Sequence, residues 1–139
     1  MPDVVATVLL AGDRVALFKR SRLVTGDAGR WHCVTGYLPA GADPLDHARV
    51  ELVEETGLGG DEVVLTRRGD RLVRLCPRGT TWQAFPFLFR TARDALELNW
   101  EHDEYRWVRP ADIDELDVVP WLWLVLCAVG RLGLLLEGA

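Results

Sequence analysis

The segment from Val4 to Leu10 is apolar and β-branched and reads as a strand. Ala11-Gly12-Asp13 is a turn signal, and Arg14 to Lys19 reads as the returning strand. Ser21 to Arg30 is polar and holds Gly26 and Gly29, which predicts a loop. Trp31 to Thr35 is a short apolar strand broken at Gly36, and Tyr37 to Ala42, with Pro39 and Gly41, is a second loop. A helix follows. Asp43 suits the N-cap, Pro44 the first helical position and Asp46 the first turn. Leu45, Ala48, Leu52 and Thr56 fall on one stripe, the predicted buried face, and Gly57 ends the helix.

Further strands are predicted at Val63–Arg67, Leu72–Leu75, Trp82–Phe89 and Tyr105–Val108. Pro86 inside the third of these predicts a sheet edge or a bulge. Pro110 to Leu116 reads as a short helical turn, and Pro120 as the first position of a last helix. The order is that of a mixed α/β domain.

From Val118 to Leu136 the chain is apolar except for Pro120, Gly130, Arg131 and Gly133. That is almost long enough to span a bilayer, but Arg131 would be costly inside one. A helix buried against the sheet or a second subunit is the preferred reading, and a membrane contact the minority one. Trp121, Leu122, Trp123, Leu124, Val125, Leu126 and Val129 cover every side of such a helix. One side then calls for cover from outside the domain. A second copy of the chain is the cheapest cover, so a homodimer is expected.

Length and composition narrow the class. The 139 residues suit one domain, 1–139, with a single core. A hydrophobic share of 49% beside 27% charged residues speaks against disorder. A net charge of −5 argues against duplex nucleic acid as a partner, because phosphate backbones need a basic face. A phosphorylated small molecule stays open, since a bound metal ion supplies positive charge locally. Cys33, Cys76 and Cys127 are odd in number, form no CxxC and sit among apolar residues, so buried reduced thiols are expected. Met1-Pro2-Asp3 lacks the basic and apolar regions of a signal peptide. Both readings favour the cytoplasm.

Glu51, Glu54 and Glu55 are spaced so that they share one helix face, with His47 one turn earlier. Like charges at this spacing cost roughly a few tenths of a kcal/mol per pair, and a cation relieves them. Mg²⁺, a hard ion that takes oxygen ligands and shares its sphere with substrate phosphates, is the natural candidate, with Mn²⁺ beside it. Three glutamates alone would more often be a solvated helix face. The Gly-rich loop leading into this helix and the Gly57 that closes it shift the balance.

Gly36 to Ala42, continued by Val50-Glu51-Leu52-Val53-Glu54-Glu55-Thr56-Gly57-Leu58, resembles the box of the Nudix family. Gly36, Glu51, Leu52, Glu54, Glu55, Gly57 and Leu58 match in register, while the box Glu falls on Ala42 and the box Arg on Val50. Asp43 and Arg49 are each one place out of register, and a slip of one rotates a helical side chain by about 100°. Trp31-His32-Cys33-Val34-Thr35-Gly36 looks like the strand entering the box. Trp100 to Val108 is similar to a downstream segment of many members, dihydroneopterin triphosphate pyrophosphatases among them.

The resemblance implies an α/β/α sandwich around a mixed sheet and metal-dependent hydrolysis of a phosphoanhydride in a nucleoside-diphosphate-linked or related metabolite. It implies metal ligation by Glu51, Glu54 and Glu55 and by the Thr35 carbonyl. It further implies that Glu101 is a general base or an added ligand, that Glu54 joins the metal directly or through water, and that Glu54 and Glu101 are the catalytic residues. Glu104 is the nearby rival to Glu101. The two departures from the box bear on how firmly these carboxylates are oriented, and so on rate or metal affinity.

Lys19 and Arg20 end a strand, where they meet phosphate or are plain surface charges. Trp31, Trp82 and Trp107 offer stacking surfaces, although tryptophans are more often core. His47 and His102 read as orienting or surface groups. Two other readings compete with a working hydrolase. One is a binding or sensor module on the same fold. The other is an interaction protein built on its apolar C-terminal helix, which predicts oligomers without metal binding.

Overall fold

The computed structural model describes residues 3–75 and 79–130. β1 (Asp3–Ala11) runs through the middle of an eight-stranded mixed sheet. It pairs antiparallel with β2 (Arg14–Arg20) and β4 (Val34–Tyr37) on one side and parallel with β7 (Thr81–Thr91) on the other. β3 (Trp31–His32) and β8 (His102–Val108) pair with β2, while β5 (Val63–Arg68) and β6 (Leu72–Leu75) share the far side of β7.

The continuous apolar run of β1 follows from this place, because both faces of the sheet are covered. Val5 and Leu9 face α1 (Pro44–Thr56), packing with Phe18, Phe87, Phe89 and Leu52. Ala6, Val8 and Leu10 face α2 (Leu122–Ala128) and the 3₁₀ turn Pro110–Glu115, packing with Leu17, Leu88, Ile113, Leu122 and Val125. The result is the α/β/α sandwich that the family resemblance implies.

α1 ends as its sequence dictates. Asp46 N donates to the Asp43 carboxylate at 3.0 Å, and Gly57 takes a left-handed φ of 76° while donating to Val53 O. Ala48, Leu52 and Thr56 are buried as predicted, Leu45 partly so, and Glu51 and Glu55 are buried beside them.

Several expectations need correction. The strand after the first loop breaks at Cys33, not at Gly36, which lies inside β4 and pairs with Val5. Pro86 is not at an edge, because β7 lies between β1 and the β5–β6 pair. Its carbonyl accepts from Gly69 N at 3.0 Å, in the gap between β5 and β6, so its missing N–H faces a place where no ladder runs. The irregularity it announced sits instead in β5, between Leu65 and Arg67. α2 begins two residues after Pro120, with Trp121 as its N-cap. Cys33 is buried but Cys127 is exposed, and Cys76 falls outside the described residues. β8 starts at His102, and a 3₁₀ turn at Gly60–Glu62 was not predicted.

α2 buries Leu122, Val125 and Leu126 against the sheet, while Trp123 and Leu124 remain 37% and 52% exposed. Among the described residues no helix is long and apolar enough to cross a membrane, and residues 131–136 of the predicted helix lie outside the described residues.

A candidate active site beside the acidic helix

A cleft of about 510 Å³ opens at one end of the sheet. α1 contributes His47, Glu51 and Glu54 to its wall, β4 contributes Thr35, Gly36 and Tyr37, and the loop before β8 contributes Trp100 and Glu101. Gly36 is there for space: a Cβ at this position would overlap the Glu51 carboxyl group. Helix and strand therefore close on each other with that carboxylate between them. His47 Nε2 lies 3.0 Å from Glu51 Oε1, close enough to attract but without hydrogen-bond alignment.

Glu55 lies behind this wall and is 0% exposed, with no hydrogen-bond partner for either carboxylate oxygen. Burial, and after it the neighbouring Glu51 and Glu101, push its carboxyl up to about 11. His102 Nε2 stands 3.7 Å from Glu55 Oε1. It offers no countercharge, because burial first and Arg20 second hold its imidazole down at about 4. Glu101 is also raised, mainly by burial.

Three neighbouring carboxyls, one of them buried without a partner, form a set of hard oxygen donors of the kind that fits a divalent cation. The side chains do not form a ready cage of three or more ligands among the described residues.

Backbone contacts place Glu101. Its N–H donates to Asn99 Oδ1 at 3.0 Å, and its carbonyl accepts from Ser21 N at 2.9 Å. Ser21 Oγ donates to Trp100 O at 2.8 Å, so the strand end at Ser21 fixes both Trp100 and Glu101. Arg20 is held by its own loop, its Nε 3.1 Å from Gly26 O and its Nη2 3.4 Å from Thr25 O. It puts a positive charge on the cleft wall.

The structure thus gathers Thr35, Glu51, Glu54 and Glu101 around one cleft, with Glu55 buried behind. Glu104 does not join them: it is exposed and 3.9 Å from Arg106 Nη2. Of the two strand-end cations, Arg20 lines the cleft and Lys19 does not. Trp31 is core, under the Arg106 guanidinium, and Trp107 donates its indole N–H to Asp94 O, so only Trp82 of the three proposed stacking residues reaches the cleft. Sequence reasoning missed Trp100, Trp121 and His32 as cleft residues. Nothing local marks them, since each reaches the cleft through long-range pairing. Val50, where the box Arg would stand, is 46% exposed.

The family model of the NUDIX domain matches residues 1–128. Among solved structures, a C. elegans Ap4A hydrolase superposes with a TM-score of 0.76 at 15% identity, covering 100% of both chains. The E. coli dihydroneopterin triphosphate pyrophosphohydrolase gives 0.76 at 17% identity, over 99% of this chain and 96% of the other. The NUDIX domain of Shewanella oneidensis NrtR, solved with ADP ribose, gives 0.74 at 17% identity, over 94% and 87%. At such identities the likeness is one of fold. No protein of curated function matches the sequence. Fold and family together define a pyrophosphohydrolase acting on acid anhydrides. The chain belongs to the Nudix family.

Proposed function

We propose that this protein hydrolyses a phosphoanhydride bond in a nucleoside-diphosphate-linked or related phosphorylated metabolite, with Mg²⁺ or Mn²⁺ as its ion. The observation that carries the reading is Glu55, a fully buried carboxyl without a partner, beside Glu51 and Glu101. In this reading Glu51, Glu54 and Glu55 hold the ion, with the Thr35 carbonyl and Glu101 as further ligands. When bound, the ion would neutralise phosphate oxygens and make a water more acidic.

The chain's own residues do the rest. Glu101, its carboxyl raised above the usual range mainly by burial, is suited to take the proton of the attacking water, with Glu54 as the alternative base. Arg20 attracts the anionic substrate. The walls fix its orientation, which is most of what phosphoryl transfer requires.

A release assay over nucleotide sugars, dinucleotides and nucleoside triphosphates, with Mg²⁺ or Mn²⁺, tests the reading. Turnover of one class, abolished by chelator and by Glu54→Gln or Glu101→Gln, is expected. Metal-independent turnover, or none across the panel, would overturn it. A binding or sensor module is the second reading, favoured by Ala42 and Val50 at two box positions. A binding module has no use for a self-repelling acid cluster, which favours the first.

We further propose a single domain that acts in the cytoplasm as a homodimer. The exposed Trp123 and Leu124 of α2 support the dimer.

A further inference from the structure

Burial keeps two of the three histidines uncharged, His32 at about 3 and His102 at about 4. The third, His47, meets Glu51. It stands one turn before Glu51 on α1, and both side chains line the cleft. Its Nε2 lies 3.0 Å from Glu51 Oε1. That nitrogen is itself buried and has no hydrogen-bond partner among the described residues. It therefore presents nothing to a ligand in the cleft, and the group it faces at close range is the carboxylate. The torsion that would bring the two into line, about the histidine Cβ–Cγ bond, is a broad one.

Glu51 has reason to be held. A glutamate side chain has many rotamers to lose, and Glu51 and the nearby Glu55 and Glu101 repel one another. Gly36 closes on its carboxyl group so tightly that a Cβ there would overlap it, and His47 touches its Oε1 oxygen. No arginine takes that place. Val50, next to Glu51 in the chain, is exposed, the Arg49 guanidinium lies over the Phe89 ring, and Arg20 is tied to its own loop. Among the described residues His47 is the only basic side chain paired with Glu51. A carboxylate already held in one orientation has less freedom to lose when it takes a cation, so it binds more tightly.

We propose that His47 is a positioning residue, whose imidazole fixes the Glu51 carboxylate against Gly36 in readiness for a divalent cation. The proposal rests on the metal-dependent reading of the site and deepens it. His47 acts through Glu51 and touches neither ion nor substrate. An imidazole with hydrogen on Nε2 donates whether it is charged or neutral, so the role does not depend on titration.

The test is Mn²⁺ binding to the substrate-free protein, followed by the electron paramagnetic resonance of the free ion. Wild type is compared with His47→Ala, His47→Gln, Glu51→Gln and the double variant His47→Ala with Glu51→Gln. Affinity should fall about tenfold in His47→Ala. It should largely return in His47→Gln, whose amide also donates at this helical spacing. On the Glu51→Gln background His47→Ala should change affinity no further, because its effect passes through that carboxylate. Alanine suits a helix, so His47→Ala should stay folded, as its far-UV spectrum in chelator would show.

Equal affinity in wild type and His47→Ala, or a loss that His47→Gln does not restore, overturns the proposal. So does a further loss on the Glu51→Gln background, which would make His47 a ligand or a packing group in its own right. The hydrolysis reading is judged separately. Mn²⁺ binding that depends on His47 through Glu51, without turnover in the release assay, would sink hydrolysis and leave the positioning role standing. Metal-dependent turnover with Mn²⁺ affinity indifferent to His47→Ala would do the reverse. No Mn²⁺ binding by wild type would sink the metal reading and this proposal together.

Discussion

Glu55 sets the pH behaviour of the metal-free protein. Its folded carboxyl, near 11, lies above the ordinary 4.5 of an exposed glutamate. Between those values the unfolded chain ionises while the folded chain keeps the proton. Stability from this group is therefore fully present below about pH 4.5 and is lost as pH rises, by about 1.4 kcal/mol per unit. Glu55→Gln removes that dependence. It is expected to exceed wild type by up to about 5 kcal/mol at pH 8 in chelator, with the gap closing toward pH 4.5. Urea titrations at several pH values measure it, and the difference between the two proteins cancels the opposite trend from neutral His32 and His102. The same variant should lose most of the rise in melting temperature that Mg²⁺ gives wild type. Equal metal responses would remove the helix site from consideration. Gly36→Ala tests the neighbouring carboxylate, because the new methyl displaces Glu51. About a hundredfold fall in kcat/KM is expected, with the far-UV spectrum unchanged. Near-wild-type kinetics would show that the position of Glu51 is immaterial.

At the scale of elements, the outcomes divide by what local sequence encodes. α1 was legible because Asp43, Pro44 and Gly57 mark its ends by local hydrogen bonding and backbone preference. β1 was legible because a strand covered on both faces is apolar throughout. The start of β8 was hidden, since His102, Asp103 and Glu104 carry no apolar alternation, and the Gly60–Glu62 turn is too short to show a period. Pro86 misled because the rule concerns a missing N–H, and the β5–β6 gap removes the need for one without making β7 an edge. The carboxylates of α1 depend on how that helix docks, and Leu52, fully buried among Phe18, Phe87 and Phe89, is central to the docking. Leu52→Ala is expected to cost about 2–5 kcal/mol in chemical denaturation. A cost below about 1 kcal/mol would mean that α1 is anchored elsewhere.

Across the whole molecule, the cleft draws on segments from β1 to the approach to α2. Its acidic half was legible, because Glu51, Glu54 and Glu55 are neighbours on one helix. Glu101 was reached only through family likeness, and His32, Trp100 and Trp121 not at all. Their proximity is made by sheet pairing and by the run of residues 117–119 along β3, which no local pattern records. The outer face of α2 belongs to this scale too. Light scattering at micromolar concentration is expected to give the mass of a dimer, and Trp123→Glu with Leu124→Glu that of a monomer. A monomeric wild type would end the dimer proposal. The pairing of residues 117–119 with Trp31 has a further consequence. It rests on two backbone hydrogen bonds of 2.9 and 2.8 Å, and it carries Trp121 to the cleft. A ligand that grips Trp121 therefore latches this seam. At a hundred times its dissociation constant, such a ligand should slow deuterium exchange at the Trp31 and Val119 amides about a hundredfold, if exchange requires the seam to open. Amide exchange followed by NMR would show it. Rates indifferent to ligand would mean that the wall and the seam breathe independently.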